Sequence, residues 1–337
     1  MEYQYRPPEN GMNDLVLETS RTVSRVGLAF VVLIAGSSLA SFILQVIALV
    51  WFRDIIETGY FNFGVTILSL YVCAAPFAYL ILRPMKKEVP KHRRISVKTF
   101  VIFTVMAFTL LILGSFLGQW LNAIVERICG IEQGGQVSEA FSESSLWLSC
   151  LYALVIAPIM EELFFRKLLI DRLSYLGDIT CVVVSGLAFG LFHQNIEQFF
   201  YATLLGALLA FVYLKTGKIL YTMLIHSIIN FFGGILPTIV EHFLPVDFFA
   251  AETEEALSEL ISANPGAYIA LMATSYLPYL FAIIGLVFFI LYARRLTCGL
   301  RPSPLPYGRK ASPIIGNAGV IVYLICCVGM MVFTIFA

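Results

Sequence analysis

Runs of about 20 apolar residues recur along the whole chain, and each is long enough to carry a helix across the hydrocarbon of a bilayer. Nine such runs are legible: Val26–Phe52, Phe63–Leu82, Phe100–Val125, Leu146–Leu173, Ile179–Phe192, Phe199–Leu214, Ile219–Val240, Ala267–Ala293 and Ala318–Ala337. Lipid offers no partner for backbone N–H and C=O groups, so segments of this length satisfy themselves as helices. With 59% hydrophobic and 13% charged residues in 337, a soluble fold could not cover its apolar surface. The predicted fold is all-α, a polytopic transmembrane helical bundle of about nine membrane helices. Residues 1–25 form a polar amino-terminal segment, neither signal peptide nor span, and residues 26–337 form one integral-membrane domain.

Lysine and arginine placement orients the bundle. With the amino terminus cytoplasmic, the inner segments hold 20 of the 22 basic residues, and only Arg53 and Arg127 fall outside. The long outer loop from Glu241 to Gly266 carries acids and no Lys or Arg. This asymmetry predicts a multi-pass protein of the cell membrane with its carboxy terminus outside. The bilayer is the expected partner, and no nucleic acid is. Oligomeric state has no signature here. The seven cysteines show no CxxC or other metal spacing and read as small core residues.

Against this background the polar groups inside the spans stand out. They are Glu161, Glu162 and Arg166 in the fourth run, His193 at the end of the fifth, and His226 with Asn230 in the seventh. A carboxylate in hydrocarbon costs a few kcal/mol, and ionisable groups there mark function by default. At about 1.5 Å rise per residue, Glu161, His193 and Asn230 lie about 17–20 Å from the cytoplasmic ends of their spans, and His226 about 10 Å. All four are within reach of one mid-membrane pocket.

Spacing suggests the chemistry. Glu162 and Arg166, four apart, share a helix face and can pair, while Glu161 is turned about 100° away and stays free to act as a base. Pro158, one turn earlier, removes a helix hydrogen bond and loosens the span. His226 and Asn230, again four apart, can both donate toward one point, as stabilising an oxyanion requires. His193 can hold a water beside Glu161. Gly206 and Ala210 form a small-residue stripe for helix packing, and Phe189 reads as core.

"EELFFR" (Glu161 to Arg166), "FGLFH" (Phe189 to His193) and "HSIIN" (His226 to Asn230) resemble the three ordered motifs of the CAAX protease and bacteriocin-processing family, also called Abi-type intramembrane peptidases. The likeness covers roughly residues 146–232. It implies a glutamate-type intramembrane endopeptidase in which Glu161 activates water, His193 helps bind it, and His226 and Asn230 form the oxyanion hole. Glu162 and Arg166 take supporting roles. The implied substrate is a membrane-associated peptide or lipidated protein, as in prenyl-CAAX or leader-peptide processing. The resemblance implies no cofactor, although two Glu and two His would suit zinc by ligand type. Two other readings stay open: a non-catalytic immunity or regulatory protein on the same scaffold, and a proton-coupled transporter using the same carboxylate.

Overall fold

A computed structural model describes residues 11–56, 58, 60–130, 146–244, 248, 251, 253–297, 299–305 and 311–336. The start of the amino-terminal segment, the 131–145 connection, a few residues of the acidic outer loop, residues 306–310 of the Pro-rich linker (301–310) and Cys298 lie outside the described residues.

The described residues form helices and connections, with no strand among them. Among the described residues eight helices are long and apolar enough to cross a membrane: α1 (Asn13–Trp51), α2 (Phe61–Leu82), α3 (Val97–Cys129), α4 (Leu146–Leu176), α6 (Ile196–Thr216), α7 (Ile219–Phe243), α8 (Pro265–Tyr292) and α9 (Ala318–Phe336). Between α4 and α6 lies the shorter α5 (Asp178–Phe192). All nine predicted runs are therefore helical. At 15 residues α5 is only about 22 Å long. The Pro-rich linker covers its short end: Arg301 donates to Asp178 Oδ1 from Nε (2.8 Å) and to Oδ2 from its backbone N–H (3.1 Å), and Asp178 N–H returns a bond to Arg301 O.

The site is built at the centre, where α3, α5 and α6 pack most extensively and α8 backs α3. Glycines set this closeness. A Cβ at Gly190 of α5 would collide with Thr203 of α6, and one at Gly114 of α3 would collide with the Tyr201 backbone. Gly206 faces Phe189 and Gly186, so the expected stripe on α6 does pack a helix. Small residues of this kind let helices meet where lipid supplies no hydrophobic drive. The outer flank is α1, packed on α2 and α9. The cysteine expectation is only partly met: Cys181 and Cys327 are buried, whereas Cys73 and Cys129 are exposed on the apolar outer surface.

Three of the nine helices contain a π-helical turn just before a proline. In α2, Ile67–Ala74 precedes Pro76; in α4, Tyr152–Ile156 precedes Pro158; in α7, Phe231–Ile235 precedes Pro237. Proline has no N–H to return to the preceding turn, and the wider register absorbs the defect. A second π turn in α4, Leu163–Leu168, follows Glu162 with no proline. Such turns are frequent at functional sites.

Candidate active site

Pro158 shapes the site first. Its missing N–H leaves carbonyls of the preceding turn to be met from elsewhere. Asn230 on α7 donates from Nδ2 to Ala153 O (2.8 Å), and Ser227 Oγ lies 2.7 Å from Leu154 O and 2.9 Å from its own Met223 O. The loosened span is thus stitched to α7 by Ser227 and Asn230, about one turn apart on that helix. Ser227 escaped sequence reasoning, because a serine beside a histidine in an apolar helix carries no signal until its partner carbonyl is known.

Below this stitch sit the charged groups. Glu162 and Arg166 are both fully buried, with Arg166 Nε 3.0 Å from Glu162 Oε2. The approach lacks the angle of a hydrogen bond, so charge attraction holds it. The guanidinium lies over the Phe189 ring, 4.6 Å from its centroid. The expected pair is present, and Phe189 is more than core filler. It is 1% exposed and meets both histidines edge-on, at 4.8 Å from the His193 ring and 5.6 Å from that of His226.

His226 bridges the two glutamates. Its Nδ1 is 3.0 Å from Glu162 Oε1, and its Nε2 is 3.7 Å from Glu161 Oε2. Glu162, neutralised by Arg166 as a carboxylate, can only accept, so Nδ1 of His226 carries a proton and donates. The Glu162–His226 bond was not foreseen, since residues 64 apart in sequence give no hint of contact.

His193 is set by the end of α5. The helix tightens there: His193 N–H turns to Gly190 O (3.3 Å), and the freed Phe189 carbonyl accepts from His193 Nδ1 (2.8 Å). With Nδ1 donating, the neutral ring leaves Nε2 as an acceptor. The chain then reverses within two residues. Gln194 takes the left-handed conformation (φ 54°), at a cost of about 1–2 kcal/mol for a residue with a Cβ. Asn195 caps α6 by accepting from Gln198 N–H (3.1 Å).

Glu161, His193, His226 and Asn230 all line one chamber of about 610 Å³, walled by α3, α4, α5, α6, α7 and α8. Tyr152, Tyr201 and Glu197 line it too. Nothing in the sequence ties Glu197 to the pocket. The two glutamates approach opposite nitrogens of His226 and so share no focus. Among the described residues no group of three or more His, Cys, Asp or Glu side chains is arranged to hold a metal ion. The arrangement offers a water between Glu161 and the histidines a base, an acceptor and nearby donors.

Residues 143–232 match the family described as Type II CAAX prenyl endopeptidase Rce1-like. The match spans the segment that bears the site. The chain is similar to "Putative membrane peptidase YdiL" of Bacillus subtilis (strain 168), 22% identical over 175 residues that cover 51% of this chain and 70% of that protein. It is also similar to "CAAX prenyl protease 2" of Homo sapiens, 30% identical over 147 residues that cover 35% of this chain and 43% of the human protein. The chain thus spans less than half the length of the human relative. No solved structure matches it.

Proposed function

We propose that the protein is an intramembrane peptidase of glutamate type, hydrolysing a peptide bond of a membrane-associated peptide or protein. The observation that carries this reading is the chamber itself: Glu161 faces it together with His193, His226 and Asn230, drawn from three helices. The match to a CAAX endopeptidase family supports the reaction class.

In this reading a water held by His193 Nε2 gives its proton to the Glu161 carboxylate as its oxygen bonds to the scissile carbonyl carbon. The carbonyl oxygen becomes an oxyanion beside His226 Nε2–H and the second Nδ2–H of Asn230, the first being committed to Ala153 O. The C–N bond then breaks, and the proton on Glu161 passes to the leaving amine. Glu162 and Arg166 act through His226, which they hold in place. No step uses a metal.

The test is cleavage of a membrane-tethered peptide library by purified protein in liposomes, followed by mass spectrometry. Glu161→Gln and His193→Ala are expected to lower the rate by about 10²–10⁴-fold with the fold intact. Dialysis against a chelator is expected to leave the wild-type rate unchanged. Equal rates for wild type and Glu161→Gln would overturn the mechanism, and activity restored only by added zinc would overturn its metal-free form.

A further inference from the structure

The chamber is closed at one end of the bundle and approaches the other. Toward the basic loops, beyond its lining residues, the same helices are tightly packed, with Phe165, Arg166, Leu169, Leu209 and Tyr213 essentially unexposed. The loops beneath are tied to the helix ends. Arg93 N–H donates to Thr216 O (2.7 Å), Glu88 N–H to Asp171 O (2.6 Å), and Arg172 Nε to Leu82 O (2.8 Å). Toward the far end the walls change character. Helix α6 contributes only from its first ten residues, with Glu197, Gln198 and Tyr201, and α5 contributes only its last turn. This is the end remote from the segments that hold 20 of the 22 basic residues.

The lining also has a sign. Its carboxylates are Glu161 and Glu197, and no Lys or Arg is among its lining residues. Glu197 is fixed by Asn122, whose Nδ2 donates to it (3.3 Å) and to Glu126 (3.0 Å), so a further carboxylate stands behind the wall. A low-dielectric cleft lined by one sign of charge concentrates ions of the other. It penalises a substrate carboxylate, which would find no Lys or Arg there. A CaaX box ends in such a carboxylate.

We infer that the chamber admits its occupant from the side of the membrane opposite the basic loops, and that it selects neutral or cationic polypeptide segments. That the occupant is a peptide rests on the proposed function; sidedness and charge preference do not.

The test therefore reads access rather than hydrolysis. In a full-length background with the seven native cysteines replaced, Ser115→Cys and Gln198→Cys place a thiol in the chamber wall. Lys87→Cys places one in the exposed basic loop. Each is treated with membrane-impermeant methanethiosulfonates, one cationic and one anionic, in intact cells and in inverted vesicles. The chamber thiols are expected to react in intact cells and Lys87→Cys only in inverted vesicles. The cation-to-anion rate ratio in the chamber should exceed that of a free thiol in solution by roughly tenfold. Adding Glu161→Gln should leave the sidedness unchanged, which separates this inference from the catalytic one. Chamber thiols that react only in inverted vesicles, or from neither side, would overturn the sidedness, as would Lys87→Cys reacting in intact cells. A ratio at or below the free-thiol value would overturn the charge preference.

Discussion

A histidine held between two carboxylates has little freedom in where its protons lie. Glu162 is an acceptor because Arg166 sits against it, so Nδ1 of His226 must donate. If Nε2 is also to donate to an oxyanion, the ring has to be the imidazolium, stabilised on both sides by Glu162 and Glu161. The working state then needs Glu161 ionised and His226 protonated. Replacing Glu162 with Gln changes the rule, because the amide N–H₂ can donate to Nδ1 and a neutral ring can keep its proton on Nε2. Glu162→Gln is expected to lower kcat/KM by about 10–100-fold, as loss of an orienting partner does. Steady-state kinetics of the two proteins check this. An unchanged kcat/KM would mean that Glu162 does not orient His226.

At the scale of elements, the prolines matter more than their number suggests. Pro158 offers no N–H to the turn before it, and the Ala153 and Leu154 carbonyls are met by Asn230 and Ser227 instead. One defect in α4 thereby fixes the position of α7. Pro158→Ala would restore a backbone donor that competes for those carbonyls and tightens the π turn. The expected outcome is an unchanged or higher Tm in detergent with activity reduced about 10²-fold, since a shift of about 1 Å at Glu161 is enough for that. Pro76→Ala, in the π turn of α2, is expected to leave activity alone. Equal activity in Pro158→Ala and wild type would remove the stitch from the mechanism. The sequence already disclosed Pro158 as a loosening point and the three motifs as a common pocket, because i,i+4 spacing and helical rise are local rules. It could not disclose the Ser227 and Asn230 bonds to α4, the Glu162–His226 bond or the Glu197 wall. Each depends on how helices distant in sequence are rotated, and a helix that is apolar on every side carries no periodic mark of which face turns inward.

At the scale of the molecule, the two ends of the chain run the same way. Gly319, at the start of α9, donates from its backbone N–H to Ser24 Oγ (3.0 Å), and the Gly27 and Gly319 backbones meet too closely to admit a Cβ. Helices α1 and α9 therefore leave the basic end side by side and finish together at the other. The shortness of α5 does not disturb this order. Helices α5 and α6 form a hairpin that starts and ends at the basic end, closed by the two-residue reversal at Gln194 and Asn195. Whether α5 spans every ångström of hydrocarbon or is completed by the Arg301 linker, the parity of crossings is the same. Positive-inside placement then predicts a carboxy terminus outside the cell. Alkaline phosphatase fused after Phe336 is expected to be active and green fluorescent protein there dark, with the opposite pair of results for fusions after Gly217. A fluorescent carboxy-terminal fusion would require one fewer crossing or an inverted bundle. Either result would put the chamber's far end on the cytoplasmic side or break the parallel pairing of α1 and α9.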